Sequence, residues 1–278
     1  MLTGFLCSDT KKLEEDLRKV SFEACLKCAE TTQNGCNFTA PFIKKFTEME
    51  ERSNISVTSV LGCLRNTYLM RTEEYWADPT NLYWLYRGQL AHKVLEDNPE
   101  KDSICEVSFS RELGGIEVTG RPDLIIPAKA LVRDYKTTKS VPGYRQEKPY
   151  SNHIQQLNTY RWIIAGQTII ADDGEKHLLP YTGMINGKEQ AIPVIPEIKR
   201  MQVIYMDMAN VKTCDSPVYD YKRVEEFLSA RLPVLKNAMD NKVLPPKEDS
   251  WLCNGYCSVK NYCQKYYEEE MRAEWAKS

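Results

Sequence analysis

The sequence predicts an α/β fold in which helices flank one central sheet. Before residue 100, apolar residues recur at helical spacing, beginning with Leu13, Leu17 and Val20. From Ser103 to Arg111, apolar and polar residues alternate, as in a strand with one buried face. The mostly apolar segment Gln202-Val203-Ile204-Tyr205-Met206 is the clearest later strand. Helices and strands that share one sheet in this way are typical of an α/β domain.

The predicted elements follow one another along the whole chain. Helices are expected at residues 9–30, 40–52, 56–71, 82–97, 152–164 and 221–237, and strands at residues 103–111, 116–126, 130–136, 176–190 and 200–208. Ser56 or Thr58 caps the third helix, because a hydroxyl oxygen can accept a hydrogen bond from a free backbone amide there. Pro122 interrupts the second strand, and Pro233 kinks or ends the last helix.

The composition is that of an ordinary folded protein. The chain has 278 residues, of which 42% are hydrophobic and 27% charged, and its formal net charge is −2. Disordered, collagen-like and mucin-like chains are thereby excluded. No apolar run reaches the roughly 18 residues of a membrane helix, and the N-terminus turns polar too soon for a signal peptide. The predicted location is the cytoplasm, or the host cytoplasm for a viral protein.

Paired carboxylates and a lysine form the sharpest motif. Gly120-Arg121-Pro122-Asp123 is followed, after ten residues, by Asp134-Tyr135-Lys136. On adjacent strands the two aspartates would approach each other, and Asp134 and Lys136 would share one face. Neighbouring carboxylates repel unless a cation lies between them, and oxygen ligands suit Mg²⁺ or Mn²⁺. The alternative is that these are solvated residues at strand ends.

These residues resemble the active-site motif of the PD-(D/E)XK nuclease superfamily, with Asp134 where Glu is commoner. Arg87-Gly88-Gln89-Leu90-Ala91-His92 resembles the Gly-x-x-x-His helix of the RecB-like branch, and Gln156-Leu157-Asn158-Thr159-Tyr160 resembles its Gln-x-x-x-Tyr helix. The resemblance extends over about residues 56–263. It implies a restriction-endonuclease-like core with a mixed central sheet flanked by helices.

The resemblance also implies roles for single residues. His92, Asp123, Asp134 and the backbone carbonyl of Tyr135 would hold Mg²⁺ or Mn²⁺. Lys136 would stabilise the attacked phosphate or hold the attacking water, and Gln156 and Tyr160 would flank the site. From the residues alone, His92 could also be a core histidine that bonds to backbone, and Tyr160 part of an ordinary amphipathic helix. Glu106 is expected to support the site from the preceding strand.

Ten cysteines in a chain without a predicted signal peptide favour metal ligands over disulfides. Cys253, Cys257 and Cys263 suit one metal centre, with Cys63 as the natural fourth ligand. This placement resembles RecB-like nucleases that carry a [4Fe–4S] cluster, including the CRISPR-associated protein 4 family, and implies a cluster that clasps the fold. The x₃ spacing between the first two late cysteines, where x₂ is usual, leaves zinc open.

A second cysteine set lies near the N-terminus: Cys7, Cys25, Cys28 and Cys36. Cys-x₂-Cys is typical of zinc sites, and four thiolates complete a tetrahedral centre. We expect a small zinc-bound module for DNA or partner contact, with free cysteines as the alternative. Cys105 and Cys214 are expected to be packing residues.

Residues 129–148 carry six basic and two acidic side chains, with Tyr135 and Tyr144 among them. Basic groups follow phosphates and aromatic rings stack on unpaired bases, so this segment is a candidate DNA-binding surface. A solvated loop is the alternative.

The resemblance implies a metal-dependent nuclease, a single-stranded DNA exonuclease in CRISPR spacer acquisition or in recombination, repair or viral DNA processing. Its partners would be DNA with single-stranded or frayed ends, and spacer-integration or recombination proteins. Alternatives are a DNA-end-binding or adaptor subunit with partner-dependent activity, and a zinc-dependent binding protein without catalysis. The expected domains are an N-terminal Cys-rich module (1–55), the nuclease core (56–245) and a C-terminal Cys segment (246–278).

Overall fold

A computed structural model describes residues 1–7, 18–31, 38–47, 54–249, 253 and 257–275. The chain divides into two compact units. Unit 1 comprises Met1–Ser53, Gly62–Tyr86 and Asn237–Ser278, and unit 2 comprises Asn54–Leu61 and Arg87–Lys236. The three-part domain division expected from the sequence stays a prediction.

The described residues contain both helices and strands, as an α/β fold requires. The helices are α1 (Phe22–Thr31), α2 (Ala40–Thr47), α3 (Val57–Leu61), α4 (Leu64–Thr72), α5 (Pro79–Asp97), α6 (Ser151–Ile164), α7 (Tyr221–Asn241) and α8 (Lys260–Trp275). The strands are β1 (Leu2–Leu6), β2 (Lys19–Ser21), β3 (Tyr75–Ala77), β4 (Ile104–Cys105), β5 (Ser108–Leu113), β6 (Ile116–Gly120), β7 (Leu124–Ile126), β8 (Leu131–Thr137), β9 (Thr168–Ile170), β10 (Lys176–Leu178), β11 (Tyr181–Ile185), β12 (Lys188–Ile192), β13 (Arg200–Met206) and β14 (Val211–Asp215). No described helix is both long enough and apolar enough to cross a bilayer.

Unit 2 is built on a mixed five-stranded sheet of order β14-β13-β8-β7-β4. Its β8 and β13 run parallel, with Asp134 opposite Val203, and the other pairs are antiparallel. A four-stranded antiparallel sheet, β10-β9-β5-β6, and the hairpin β11-β12 complete the unit. The chain leaves the larger sheet between β4 and β5 and returns to it between β6 and β7.

Helix α6 lies in the core of unit 2 and is buried on nearly every side. Leu157, Trp162 and Ile163 belong to the same apolar cluster as Val132 and Val203 of the central strands. The cluster excludes water from the sheet face that carries the candidate site. The Trp162 indole of α6 donates to Glu225 Oε1 at 2.8 Å. Full burial of such side chains stabilises a fold by about 1.5–3 kcal/mol each.

Unit 1 contains a three-stranded sheet, β2-β1-β3, and an aromatic cluster around Phe5 and Phe46. Its α4 is tied to α8 by Arg65, whose buried guanidinium donates to Glu270 Oε1 at 2.8 Å and to the Pro245 carbonyl at 2.7 Å. This ion pair holds the C-terminal helix against the element that begins at Cys63.

Several elements differ from their predicted extents for local reasons. The helix expected at 56–71 is split into α3 and α4, because Cys63 has an extended backbone and its Sγ caps α4 by accepting from the Asn66 amide at 3.4 Å. The strand expected at 103–111 is interrupted at Glu106, whose φ of 53° is left-handed and incompatible with a strand. Helix α7 continues through Pro233 to Asn241.

Candidate active site

The predicted site residues come from four neighbouring segments of unit 2. His92 lies on α5, and Glu106 stands at the break between β4 and β5. Asp123 directly precedes β7, while Asp134 and Lys136 lie on β8. Because β7 and β8 are antiparallel neighbours, the end of β8 that carries Lys136 meets the start of β7.

Three ligand-type side chains converge at this point. His92 Nδ1 lies 3.0 Å from Glu106 Oε1 and 3.3 Å from Asp123 Oδ1. Among the residues that the structure describes, this is the one group of three His, Cys, Asp or Glu residues whose ligand atoms all lie within 4.8 Å of one another. The hydrogen bond to Asp123, and then that to Glu106, raise the pKa of His92 to about 10. From the sequence, Glu106 was expected only to support the site. The alternating pattern around Cys105 predicts a regular strand and gives no sign of the left-handed backbone at Glu106, which redirects its carboxylate.

Asp134 and Lys136 form a buried ion pair beside this group. Lys136 Nζ lies 2.7 Å from Asp134 Oδ2, as expected for residues two apart on one strand. Asp134 is completely buried, and burial raises the pKa of its carboxyl group, opposed by Lys136. Burial lowers the pKa of Lys136, but the charges of Asp134 and Asp123 outweigh it and leave that pKa raised. Lys136 is therefore a persistent cation.

The backbone of Tyr135 faces Asp123. Its amide donates to Asp123 Oδ2 at 2.6 Å, and β7 pairs with β8 only as far as Arg133. In a strand the N–H and C=O of one residue point the same way, so the Tyr135 carbonyl is directed to the side where Asp123 lies. Its predicted role as a metal ligand stays a prediction that this orientation supports.

Gln156 and Tyr160 are brought together on α6. Gln156 Nε2 donates to the Tyr160 hydroxyl at 2.9 Å, and both side chains are buried. Burial raises the pKa of Tyr160, as do the charges of Asp134 and Asp123, so this phenol stays protonated. Gly120 allows the close approach, because a Cβ there would lie 3.1 Å from Tyr160 Cδ1 and 2.9 Å from Val57 Cγ2.

The glycine of the Gly-x-x-x-His helix, Gly88, has only ordinary van der Waals contact at its open side. A Cβ at Gly88 would meet Thr137 Oγ1 at 3.6 Å, which is ordinary van der Waals contact. An alanine would therefore fit at this position, and the approach of α5 to β8 does not depend on the missing side chain.

His153 was missed by sequence reasoning, although it lies one helical turn before Gln156. Its Nδ1 lies 2.8 Å from the Tyr205 hydroxyl, which also accepts from the Tyr150 amide at 3.0 Å. Burial lowers the pKa of His153 to about 4, with a further lowering by the charge of Lys136. The imidazole is thus neutral beside the Asp134–Lys136 pair.

This depressed pKa predicts a loss of stability in mild acid. An unfolded histidine takes up a proton near pH 6.5, whereas folded His153 does so only near pH 4. Between these values only the unfolded chain binds the proton, so the free energy of unfolding falls with falling pH, by on the order of 3 kcal/mol, and levels off below pH 4. Urea denaturation at pH 7.5 and 5 should show a smaller drop for His153→Gln than for the wild type. An equal drop in the two proteins contradicts the assignment.

The basic segment expected at residues 129–148 has two structurally different parts. Lys129 and Arg133 both form ion pairs with the single carboxylate of Glu100, and Lys136 belongs to the buried pair, so three of the six basic side chains are held in ion pairs. The remaining basic residues, Lys139, Arg145 and Lys148, follow on an exposed loop. Only this second half remains a candidate surface for nucleic acid.

The late cysteines and Cys63 come together in unit 1. Asn66 donates from its amide to Cys63 Sγ at 3.4 Å and from Nδ2 to Cys257 Sγ at 3.2 Å. Burial chiefly raises the pKa of Cys257, and the charges of Cys263 and Cys253 raise it further. Two thiolates on one zinc ion lie at most about 4.6 Å apart, because each Zn–S bond is about 2.3 Å. Among the described residues no three thiols have Sγ atoms within 4.8 Å of one another.

The N-terminal cysteines are partly outside the described residues, because Cys36 is not among them. Cys25 and Cys28 lie on α1 and Cys7 follows β1. Their zinc site stays a prediction. Cys214 is buried in the apolar cluster of unit 2, and Cys105 packs against Leu124, Ile126 and Leu131.

The donor set in unit 2 fits a divalent cation. Two carboxylates and an imidazole converge at His92, Glu106 and Asp123. Beside them the buried Oδ1 of Asp134 has no hydrogen-bond partner among the described residues, although buried polar atoms are nearly always satisfied. The arrangement can hold an oxygen-preferring metal and place a lysine cation next to it.

Comparison with known proteins agrees with this chemistry. The crystal structure of SSO0001 aligns with 78% of this chain and 89% of its own, at 18% sequence identity and a TM-score of 0.47. No curated protein matches the sequence significantly. The family model of the PD-(D/E)XK nuclease superfamily matches residues 89–264. The match covers more than half of the chain and contains each of the converging residues in unit 2, and the chain therefore belongs to the PD-(D/E)XK nuclease superfamily.

Proposed function

We propose that this protein is an Mg²⁺- or Mn²⁺-dependent nuclease that degrades single-stranded DNA from an end. Superfamily membership suggests a metal-dependent nuclease. The observation that carries the proposal is the buried Asp134–Lys136 pair next to His92, Glu106 and Asp123. A purely structural site would gain little from an isolated buried ion pair, since desolvation offsets the attraction.

Metal binding is assigned to Glu106, Asp123 and His92, with Asp134 and the Tyr135 carbonyl as the further ligands that the family resemblance implies. A divalent cation held there supplies a Lewis acid for the scissile phosphate and acidifies a bound water. Arg121 Nε lies 2.9 Å from Glu106 Oε2, so it orients this carboxylate.

Lys136 acts as a fixed positive donor. The charges of Asp134 and Asp123 raise the pKa of Lys136 and favour the ammonium form, in which Nζ is a hydrogen-bond donor. It donates to a non-bridging phosphate oxygen, where negative charge accumulates in the transition state. Asp134 aims Nζ, and the Tyr160 hydroxyl, held by Gln156, bounds the same space.

The test is a cleavage assay with the purified full-length chain. Labelled single-stranded DNA should be shortened progressively in Mn²⁺ and remain intact in EDTA. A circular single strand without ends is the matched substrate for the exonuclease part of the proposal: its survival supports degradation from ends, and its cleavage replaces this with endonuclease activity. Retention of DNA without cleavage in Mn²⁺ would favour the DNA-end-binding or adaptor function.

We further infer that Cys63, Cys253, Cys257 and Cys263 hold a [4Fe–4S] cluster. Support comes from the contacts of Asn66 with Cys63 and Cys257 and from the effect of Cys263 and Cys253 on the pKa of Cys257, and thiolates are the ligands such clusters take. Anaerobically purified protein should be brown and contain about four iron atoms per chain. Cys257→Ser should lose the iron, whereas Cys105→Ser, in the other unit, should keep it. Stoichiometric zinc in place of iron would overturn this assignment.

The biological setting we infer is DNA processing in the cytoplasm, in CRISPR spacer acquisition or in recombination, repair or viral DNA processing. The partners would be spacer-integration or recombination proteins. Cross-linking in cells of origin, followed by identification of the attached proteins, tests this setting directly.

A further inference from the structure

The loop at residues 139–149, here called the braced loop, is held at three places by unit 2. Asp207 Oδ2 accepts from the Val141 amide at 3.0 Å. Lys212 Nζ donates to the carbonyls of Gly143 at 2.7 Å, Gln146 at 2.8 Å and Pro142 at 3.3 Å. At its end, the Tyr150 amide donates to the Tyr205 hydroxyl. All three hydrogen bonds of the Lys212 ammonium group go to this one loop, and Lys212 is here called its brace. These bonds fix the loop conformation before any ligand binds.

Tyr144 stands on this fixed loop with 98% of its surface exposed. An exposed tyrosine gives nothing to the stability of the fold, because both faces of its ring remain in water. Ordering an exposed loop costs conformational entropy, and here the hydrogen bonds fix the backbone from which the aromatic ring projects. Preorganisation of this kind strengthens binding by lowering the entropy lost on association.

The charges around Tyr144 suit a polyanion that lies along the loop. Lys139, Arg145 and Lys148 are exposed, and none has an ion pair with any described carboxylate. Glu147 is the single acidic residue of the braced loop itself. Below the loop, a groove of about 760 Å³ separates it from β14, lined among others by Val141, Tyr144 and Val211.

The braced loop also connects the two halves of the candidate site. It begins three residues after Lys136, at the end of β8, and leads directly into α6, which carries Gln156 and Tyr160. A ligand bound along the loop therefore lies on the chain segment that joins Lys136 to Gln156 and Tyr160.

We propose that the braced loop binds one unpaired DNA strand, with a base stacked on Tyr144 and backbone phosphates on Lys139, Arg145 and Lys148. Lys212 is a positioning residue, which acts by holding the loop. Stacking requires a base with a free face, so the surface selects single strands over duplex. The inference rests on the proposed nuclease function, because it names the part of the chain that presents the strand to the site.

The experiment measures binding of a fluorescent 15-nucleotide oligo-dT to the full chain in EDTA, where no cleavage is expected. Tyr144→Ala should weaken binding about tenfold, the usual range for one stacked base, and Tyr144→Trp should keep it. Lys212→Met should weaken binding at least as much, because the brace holds the loop that carries both the ring and the basic residues. The two losses should not add, and Tyr144→Ala/Lys212→Met should weaken binding by less than the product of the two single effects. Lys212→Arg, which retains donors, should restore most of the affinity. Additive losses, or unchanged binding by Tyr144→Ala, overturn the proposal.

The phosphate contacts have their own measurement. For a single strand, the slope of log affinity against log salt concentration decreases in magnitude by about 0.7 for each phosphate–cation contact that is lost. The triple substitution of Lys139, Arg145 and Lys148 by glutamine should therefore reduce this slope by about 2. The matched control replaces Lys188, Lys199 and Lys222, which are equally exposed elsewhere in unit 2, and should leave it unchanged. Equal reductions in both triples would show a diffuse charge effect and would falsify the assigned path.

The outcomes separate the loop's role from the nuclease function. If the wild type cleaves DNA and Tyr144→Ala raises KM without lowering kcat, both stand. If the wild type cleaves DNA and the Tyr144 variant is unaltered in binding and KM, the loop proposal fails alone. If binding depends on Tyr144 but no metal supports cleavage, the nuclease proposal fails and the strand-binding surface remains.

Discussion

Lys136→Met should reduce the rate of DNA cleavage by at least about a thousandfold while the chain still folds. The substitution keeps most of the length of the side chain and removes the ammonium group, which is the group assigned to the phosphate. Loss of a preorganised donor to transition-state charge costs about a hundred- to a thousandfold, and loss of a full positive charge at a phosphate has a larger effect. Single-turnover cleavage of labelled single-stranded DNA measures the rate, and far-ultraviolet circular dichroism confirms the fold. A rate within tenfold of the wild type would remove Lys136 from the reaction.

The same substitution tests the burial of the ion pair with Asp134. Removing Lys136 leaves a fully buried carboxylate without its cation, which should lower the free energy of unfolding by about 3 kcal/mol at neutral pH. The loss should shrink in acid, because protonation of Asp134 removes the unpaired charge. Asp134→Asn/Lys136→Met should recover at least half of this stability and stay inactive. If the double variant is no more stable than Lys136→Met, the two side chains do not interact as the structure shows.

The second large effect concerns metal binding. Glu106→Gln should weaken Mn²⁺ binding by at least about a hundredfold, because one of the three converging ligands loses its charge while the side chain keeps its size. Isothermal titration calorimetry with Mn²⁺ in the absence of DNA measures the affinity independently of catalysis. Asp123→Asn should have at least the same effect, and it also removes the negative charge next to the Tyr135 amide.

Glu112→Gln is the matched control for this series. Glu112 lies on β5, a few residues after Glu106, and its side chain is exposed. The same change of charge at this place should leave the Mn²⁺ affinity within a factor of two. A loss of affinity equal to that of Glu106→Gln would mean that the metal responds to the general field of the unit and not to a defined ligand set.

The sequence was most informative where residues two or four apart share a face. Asp134 with Lys136, and Gln156 with Tyr160, were expected to pair and are in contact, because strand and helix periodicity alone decide these pairs. The α/β class and the extents of α5, α6 and β8 follow from the same periodicity. The match to the nuclease superfamily then confirms the family that these motifs resembled.

Other features depend on contacts between segments far apart in sequence. Glu106 joins the ligand group only because a left-handed residue turns its side chain away from the alternating pattern. His153 meets Tyr205 across 52 residues, and Lys212 reaches the braced loop across about 70. No local sequence pattern predicts contacts between residues so far apart along the chain. The fate of the basic segment likewise depended on Glu100, which lies outside it and forms ion pairs with two of its basic side chains.

The two crossings between the sheets of unit 2 place the ligands at a corner. The chain passes from the five-stranded to the four-stranded sheet at Glu106 and comes back through Arg121 and Asp123. An ion bound by Glu106 and Asp123 would therefore link the two crossings. The angle between the sheets would set the distance between these two carboxylates. Substitutions in the apolar layer between the sheets, far from any ligand, thus become a means of tuning the affinity for metal.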